Sequence, residues 1–257
     1  MEYIKVLSIA GSDPSGGAGI QADMKTCCAM GCYAMTAITA ITAQNTLGVR
    51  DFVPVSPEML RAQIEAVCDD IRPDAIKIGM VPSSEAAGVI ADMIEKYSLE
   101  RIVVDPVMVS TSGHNLSEGS AIETLVRRVF PFASVITPNI PEANALGSDN
   151  PATLASMYNC PGVLVKGGHS AHHNNMVDLL WSDGSLHEFP VTYVDTPNTH
   201  GTGCTLSSAI ACQLAMGKNV ADACASAIQW LGVAIRSGAN YKIGHGHGPV
   251  NHLFNII

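Results

Sequence analysis

The chain has 257 residues, of which 47% are hydrophobic and only 14% are charged, and its formal net charge at pH 7 is −9. This length and apolar content favour one large α/β domain, 1–257, built around a buried sheet. The acidic balance and the lack of a basic run argue against a nucleic-acid or acidic-membrane partner. No apolar stretch is long enough to cross a bilayer. The eight cysteines, with no secretory signal at the start, indicate reduced thiols and a cytoplasmic protein.

The first predicted elements are a strand and a glycine-rich loop. Residues 6–10 are an apolar run typical of a buried strand, and the loop over 11–19 follows it. The loop lacks both the Walker A lysine and the GxGxxG spacing. We therefore interpret it as backbone that approaches a ligand closely, with a plain flexible turn as the alternative. A helix over 20–30, closed by Gly31, comes next.

The rest of the chain alternates between strands and helices. Residues 33–42 are predicted to form one central strand, with Gln44 just after its end. A short strand over 51–55 follows, and then a helix that starts at Ser56. Further strands are predicted over 75–78, 101–104, 134–137 and 163–165, and helices over 84–97, 119–129 and 151–158. An antiparallel pair is expected over 176–181 and 186–191, and a last helix begins after Asn219. This order predicts a mainly parallel sheet with helices on both faces.

The most informative motif is a glycine turn that opens a helix. Gly201, Thr202 and Gly203 precede Cys204, and apolar residues then recur at helical spacing up to Gly217. Backbone N–H groups at such a turn, with the helix dipole, form a site for phosphate. The same position is expected to lower the pKa of the cysteine. The alternative is a tight turn with a small buried cysteine.

Unusual residues fall just after the predicted strands, and in open parallel sheets the carboxyl ends of the strands line the ligand crevice. We therefore expect six loops to meet beside the turn at residues 201–204. The residues concerned are Gly11, Gln44, Met80, Asp105, Asn139 and Lys166.

These residue types suit phosphoryl transfer, which needs cations near the phosphates, a metal and a base. Lys166 is predicted to reach a nucleotide phosphate, with a solvated strand end as the alternative. Asp105 is predicted to assist the metal or a phosphate-bound water, with a turn-forming residue as the alternative. Asn139 and Glu142 are predicted to hold Mg²⁺ mostly through water, with a helix cap as the alternative. Cys204 would be the base, and the amides of 201–203 would hold the developing negative charge.

Two further residues are candidates for the acceptor substrate. Gln44 both donates and accepts hydrogen bonds, so it suits a heterocycle with an amino group and a ring nitrogen. Asp23 is predicted to face the ligand, with a helix-surface carboxylate as the alternative. Structural or solvated roles are expected for two groups of cysteines and histidines, namely Cys27, Cys28 and Cys32, and His172, His173, His245, His247 and His252.

Five segments together resemble the hydroxymethylpyrimidine/phosphomethylpyrimidine kinase family of thiamine biosynthesis. They lie in order across nearly the whole chain, over residues 10–23, 105–108, 137–142, 165–169 and 200–205. The resemblance implies a three-layer α/β/α ribokinase-like fold, usually a homodimer, with ATP and Mg²⁺. It also implies two successive phosphorylations, of the pyrimidine alcohol and then of its monophosphate.

The resemblance assigns site residues as well. It places the pyrimidine among Gly11, Ala18, Gln44, Met80 and Val107, and gives ATP and metal to Asp105, Asn139, Glu142 and Lys166. The segment between Glu142 and residue 163 looks shorter than the family's helix–turn–helix, and Thr111 stands where many relatives have lysine.

Three other functions remain open from the sequence. The first is a pyridoxine/pyridoxal kinase of the same fold, whose substrate is also a flat heterocycle with a hydroxymethyl group. The second is a thiol hydrolase that pairs Cys204 with His200. The third is a ligand sensor without catalytic activity.

Overall fold

The computed structural model describes residues 2–108, 117–167 and 176–255. Its strands are β1 (Lys5–Ala10), β2 (Tyr33–Ile38), β3 (Ala40–Asn45), β4 (Gly48–Pro54), β5 (Ala75–Ile78), β6 (Ile102–Val104), β7 (Ala133–Ile136), β8 (Val163–Val165), β9 (Met176–Ser182) and β10 (Ser185–Val191). Its helices are α1 (Gly19–Ala29), α2 (Pro57–Asp70), α3 (Ser84–Tyr97), α4 (Gly119–Arg128), α5 (Ile140–Ala145), α6 (Pro151–Tyr158), α7 (Thr202–Ala215) and α8 (Val220–Gly238).

Within the described residues, eight strands form one sheet in the order β10-β9-β8-β7-β6-β5-β1-β2. The strands from β8 to β2 are parallel, and β9 and β10 extend the sheet as an antiparallel pair. β1 pairs with β2 on one side and with β5 on the other, so the strand order reverses at β1. Such a reversal point opens a crevice at the carboxyl ends of the strands.

Helices cover both faces of this sheet. α2 to α6 pack on one face around a large apolar cluster, whereas α1, α7 and α8 pack on the other. The side chains of β1 point alternately to the two helical layers. Val6 belongs to the apolar cluster beside α1, α7 and α8, whereas Leu7 and Ile9 belong to the cluster beside α2 to α6. Burial of each such side chain stabilises the fold by about 1.5–3 kcal/mol. The predicted three-layer α/β/α fold is confirmed. No helix among the described residues combines the length and the apolar character that a membrane crossing requires.

The single strand predicted over 33–42 is wrong, because the chain leaves the main sheet at Thr39. The backbone N–H of Thr39 still bonds Ala10, but its hydroxyl donates to the carbonyl of Met80 at 2.6 Å. β3 then pairs with β4 in a separate two-stranded sheet. Both halves of the run are rich in β-forming residues, so periodicity alone could not find the break.

The segment after Glu142 forms two helices joined by a turn. α5 ends at Ala145, a turn follows with Gly147 at φ +109°, and α6 starts behind the Asn150 cap. Ala143 and Leu154 bring both helices into the larger apolar cluster. Both helices of this segment therefore pack on the same face of the sheet as α2, α3 and α4.

Candidate active site

The carboxyl edge of the parallel strands gathers most of the predicted positions. They follow β1, β5, β6, β7 and β8 and are Gly11, Met80, Asp105, Asn139 and Lys166. The sixth, Gln44, lies instead in β3, within the separate hairpin. The hairpin nevertheless brings it to the same edge, because its amide nitrogen lies 3.3 Å from Nε2 of His200, just before the turn of α7.

The turn of α7 packs directly against two of these residues. Gly201 caps the helix with φ +78°, a left-handed conformation that glycine adopts readily. A side chain at Gly203 would have its Cβ 3.2 Å from Oδ2 of Asp105 and 3.4 Å from Nζ of Lys166. The positive end of the helix therefore faces the region where a carboxylate and an ammonium group already meet.

Asp105 and Lys166 form an ion pair that is largely shielded from solvent. Oδ1 of Asp105 accepts hydrogen bonds from Lys166 Nζ at 2.9 Å and from the Thr137 hydroxyl at 3.1 Å. Burial would lower the pKa of Lys166, but Asp105, Glu142 and Cys204 raise it above its ordinary value. The lysine is therefore charged at neutral pH, and its side chain remains 15% exposed, which lets it meet a phosphate.

Asn139 and Glu142 form a capping box at the start of α5. Asn139 Oδ1 accepts from the backbone N–H of Glu142 at 2.9 Å, and Glu142 Oε2 accepts from the N–H of Asn139 at 2.8 Å. The helix cap that the sequence allowed as the alternative to a metal site at this pair is therefore present in the fold. Burial raises the pKa of Glu142 to about 7; Lys166 opposes the rise and Asp105 adds to it.

The donor set at α5 suits a water-mediated metal rather than a closed protein cage. Among the described residues, no group of three or more His, Cys, Asp or Glu side chains could hold a metal ion. Mg²⁺ usually keeps several waters and takes only one or two carboxylates, so Glu142 fits it as a supporting ligand. The residues present are compatible with Mg²⁺ on this basis.

The thiol of Cys204 is less acidic than the sequence predicts. Burial raises its pKa to about 11; Lys77 opposes the rise, Asp23 and Asp105 add to it, and the N–H of Gly19 opposes it by a hydrogen bond. The predicted lowering of the pKa at a helix N-terminus is therefore wrong, because desolvation by distant segments outweighs the local dipole. At neutral pH the sulfur carries its proton.

Asp23 does not fit its predicted contact with a substrate. Its carboxylate is completely buried and accepts hydrogen bonds from Lys77, Ser8 and Ser208. The alternative, a carboxylate on the helix surface, is wrong for the same reason. Lys77 was not predicted, although a lysine inside an apolar strand such as β5 is the signal that could have found it.

An apolar wall lies beside this charged cluster. Met80 and Val107 pack with Ala40 and Val49 of the hairpin. A Cβ on Gly11 would lie 2.8 Å from the sulfur of Met80, so only glycine leaves this wall flat. A flat apolar surface of this kind suits the face of a heterocycle.

The glycine-rich loop is held by Asp13, a residue that the sequence did not single out. Its carboxylate accepts from the backbone N–H groups of Ser15, Gly17 and Ala18, and from Nε2 of His200 at 2.8 Å. Burial alone would raise the pKa of Asp13, but these hydrogen bonds, led by that of His200, lower it to about 2. Ala18 is thus placed at the start of α1, facing the turn of α7.

The contacts of His200 do not support the hydrolase hypothesis. Its Nε2 atom lies within hydrogen-bond distance of Asp13 and beside Gln44, so this nitrogen is already engaged by groups other than Cys204. His252 is buried, its Nε2 lies 3.0 Å from the Thr205 hydroxyl, and burial lowers its pKa to about 4. This fits the structural role expected for it.

The remaining sequence predictions divide into two groups. All eight cysteines are free, and Cys27 and Cys32 lie in the core while Cys28 is exposed. His245 and His247 are exposed. Thr111, Gly168, His169, His172 and His173 lie outside the described residues.

Comparison with known proteins gives the family. The phosphomethylpyrimidine kinase family model matches residues 13–251. The hydroxymethylpyrimidine/phosphomethylpyrimidine kinase of Bacillus subtilis (strain 168) is 40% identical over 98% of this chain and 96% of its own length. The crystal structure of phosphomethylpyrimidine kinase from Clostridium difficile 630 is 41% identical, covers 90% of this chain and 99% of that one, and has a TM-score of 0.79.

A pyridoxal kinase is also similar in structure. The Staphylococcus aureus enzyme, solved in complex with AMP-PCP and pyridoxal, is 32% identical and has a TM-score of 0.89, covering 100% of this chain and 96% of that one. Together, the match of the family model over most of the chain and the 40% identity over nearly its full length show that this chain belongs to the phosphomethylpyrimidine kinase family and is a kinase of the ribokinase-like fold.

Proposed function

We propose that the protein transfers the terminal phosphoryl group of ATP to 4-amino-5-hydroxymethyl-2-methylpyrimidine, and then a second group to the resulting monophosphate, for thiamine biosynthesis. The observation that carries this proposal is the meeting of three features at one edge of the sheet. They are the Asp105–Lys166 ion pair, the turn of α7 with Cys204, and the flat apolar wall with Gln44 beside it.

The nucleotide side of the site lies at the ends of β6, β7 and β8. Lys166 supplies a positive charge for the phosphates, and Asp105 holds its ammonium group in place. Asn139 and Glu142 would hold a hydrated Mg²⁺, which would neutralise phosphate charge. The amides of Gly201, Thr202 and Gly203 stabilise the negative charge that develops on the transferred group.

The acceptor side lies between the glycine-rich loop and the hairpin. Gly11 and Ala18 let the pyrimidine approach the backbone, and Met80 and Val107 cover its apolar face. Gln44 pairs with the amino group and ring nitrogen. Cys204 acts as base in its thiolate form, after its own proton has passed to solvent. The thiolate takes the proton of the substrate hydroxyl as the hydroxyl oxygen forms its bond to the terminal phosphorus and the bond from that phosphorus to the leaving ADP breaks.

Product analysis by mass tests this proposal most directly. With ATP and the hydroxymethylpyrimidine, we expect the monophosphate first and the diphosphate later. The rival function, a pyridoxine/pyridoxal kinase, predicts a single phosphorylation of the pyridine alcohol and no diphosphate of the pyrimidine. A ligand sensor predicts binding of the pyrimidine without release of ADP.

The base is tested by Cys204→Ala, with Cys28→Ala as the control at an exposed cysteine. Loss of a general base typically slows turnover by 10²–10⁴-fold, so we expect a fall in kcat of at least about 100-fold. Pyrimidine binding should remain, since the wall of the pocket is unchanged. Near-normal turnover in Cys204→Ala would contradict the assignment.

The proposal extends to the assembly and location of the protein. We expect the chain to act as one kinase domain over 1–257, in the cytoplasm, as a homodimer. Ile41 and Val53 are paired across the hairpin, and 60% and 67% of their respective surfaces are exposed, which suits a contact between copies. Light scattering after size-exclusion chromatography measures the mass, and Ile41→Lys should shift a dimer toward monomer.

A further inference from the structure

Lys77 is the one charged residue of β5, between Ile76 and Ile78, and its side chain is completely buried. A buried ammonium group is strongly destabilising unless it is paired and hydrogen-bonded. Lys77 lies opposite Ser8 in the register of β1 and β5, so the two side chains leave the same face of the sheet. That face is covered by α1 and α7.

The partner of Lys77 is Asp23 on α1. Nζ of Lys77 donates to Oδ1 at 2.9 Å and to Oδ2 at 2.8 Å. Hydroxyl groups from two other elements complete the set: Ser8 of β1 donates to Oδ2, and Ser208 of α7 donates to Oδ1 at 2.7 Å. The carboxylate is therefore saturated, and it locks the ammonium group between the sheet and two helices.

This buried pair is tied to the helix that carries Cys204. Ser208 lies four residues after Cys204, which places both on the same side of α7, one turn apart. A Cβ on Gly79 would lie 2.7 Å from Nζ of Lys77, so this glycine leaves the space that the ammonium group occupies. The lysine thus extends along β5 toward the carboxyl edge of the sheet, where the turn of α7 lies.

Four charged groups on four different segments interact electrostatically with the thiol of Cys204. They are Lys77 from β5, Asp23 from α1, Asp105 after β6 and Lys166 after β8. Burial would lower the pKa of Lys77, but Asp23 chiefly, then Cys204 and Asp105, raise it above its ordinary value. Lys77 is therefore a permanent positive charge that solvent does not reach.

We propose that Lys77 is a positioning residue that supplies the positive charge behind the sulfur of Cys204, and that Asp23, fixed by Ser8 and Ser208, sets how much of that charge the sulfur feels. The proposal rests on the role of Cys204 as base. When the sulfur is a thiolate, its negative charge faces Lys77. When it has taken the substrate proton, Lys77 remains neutralised by Asp23, so neither state leaves an unpaired buried charge.

The test measures the charge state of the sulfur itself, without turnover. The rate of Cys204 alkylation by iodoacetamide is followed as a function of pH, by peptide mass spectrometry on the intact folded protein. A nearby charge typically shifts the pKa of a neighbouring group by about 1–3 units. We therefore expect Lys77→Met to slow alkylation at a given pH by at least about tenfold, and Asp23→Asn to accelerate it by at least about tenfold.

The chain offers an internal control and a second variant. Cys68 lies on α2 in the opposite helical layer, so its alkylation should be the same in every variant. The double variant Lys77→Met with Asp23→Asn removes both charges and avoids an unpaired carboxylate. It should alkylate at a rate between those of the single variants. If Lys77→Met alone does not fold, the comparison of the double variant with Asp23→Asn isolates Lys77, and the double variant should be at least about tenfold slower.

The outcomes separate this proposal from the proposed function. Opposite shifts in Lys77→Met and Asp23→Asn support it, as does a lower kcat in Lys77→Met with KM values for both substrates within about twofold. Alkylation rates of the folded single variants that stay within twofold of the wild-type rate would overturn it. If Cys204→Ala retained turnover while the alkylation shifts occurred, the base assignment would fail and the electrostatic link would stand.

Discussion

Replacing Gly201 with alanine tests how closely the glycine-rich loop and the turn of α7 are packed. Gly201 has φ +78°, and an added Cβ would overlap the carbonyl oxygen of Gly17 and lie 2.9 Å from its carbonyl carbon. The left-handed backbone costs a non-glycine residue about 1–2 kcal/mol. Relief of the overlap must move backbone and adds about 1–3 kcal/mol, as overpacking typically does. We therefore expect a loss of about 2–5 kcal/mol in the free energy of unfolding.

Gly217 gives a matched control at the other end of the same helix. It has φ +88°, and a Cβ there meets nothing within 4 Å. Gly217→Ala should therefore lose only the backbone contribution, about 1–2 kcal/mol. Urea denaturation at one pH gives both values, and the difference between them isolates the contact between the loops.

Activity should separate the two variants further. A displacement of about 1 Å in groups that position a reacting centre can slow turnover by about 100-fold. We expect such a fall in kcat for Gly201→Ala and less than a twofold change for Gly217→Ala. If the two variants were equally stable and equally active, the close approach of the loop to the turn would be refuted.

Three further predictions concern charged residues. Lys166→Ala should raise the KM for ATP by at least about tenfold with little change in the KM for the alcohol, as steady-state kinetics would show, and the reverse pattern would contradict its placement. Asp13 has a pKa of about 2 instead of 3.8, so it stabilises the fold above pH 4 and loses that effect as the pH falls through 2. Asp13→Asn should therefore lose about 2 kcal/mol at pH 7 in urea denaturation, and a gap from wild type that did not narrow below pH 4 would argue against this. Glu142 has a pKa of about 7 instead of 4.5, so its ionisation removes stability as the pH rises from 4.5 to 7. Glu142→Gln should gain up to about 3 kcal/mol over wild type between pH 5 and pH 8, and a gain that did not depend on pH would contradict the cause.

Local signals in the sequence were enough for most of the fold. α3 and α6 begin where predicted because Ser83 and Asn150 cap them, and each cap accepts a bond from the first turn. The convergence of the site also follows from local signals, since it needs only the ends of parallel strands. Where two strands share one β-rich run, as on either side of Thr39, the side chains carry no signal of the break.

Long-range pairing explains what the sequence did not predict. Lys77 and Asp23 are 54 positions apart, and His200 and Asp13 are 187 apart, so no window along the chain contains either pair. The prediction of a lowered pKa for Cys204 was wrong for the same reason. Its own turn favours a thiolate, but burial and the carboxylates come from segments that the motif does not include.

The contact between Gly17 and Gly201 has a consequence for synthesis of the protein. The glycine-rich loop leaves the ribosome early, yet the turn that completes it follows more than 180 positions later. β1 also waits for β5 before both of its edges are paired. A nascent chain therefore exposes an incomplete, aggregation-prone sheet during most of translation. The pocket for the pyrimidine forms only after the turn of α7 has been synthesised.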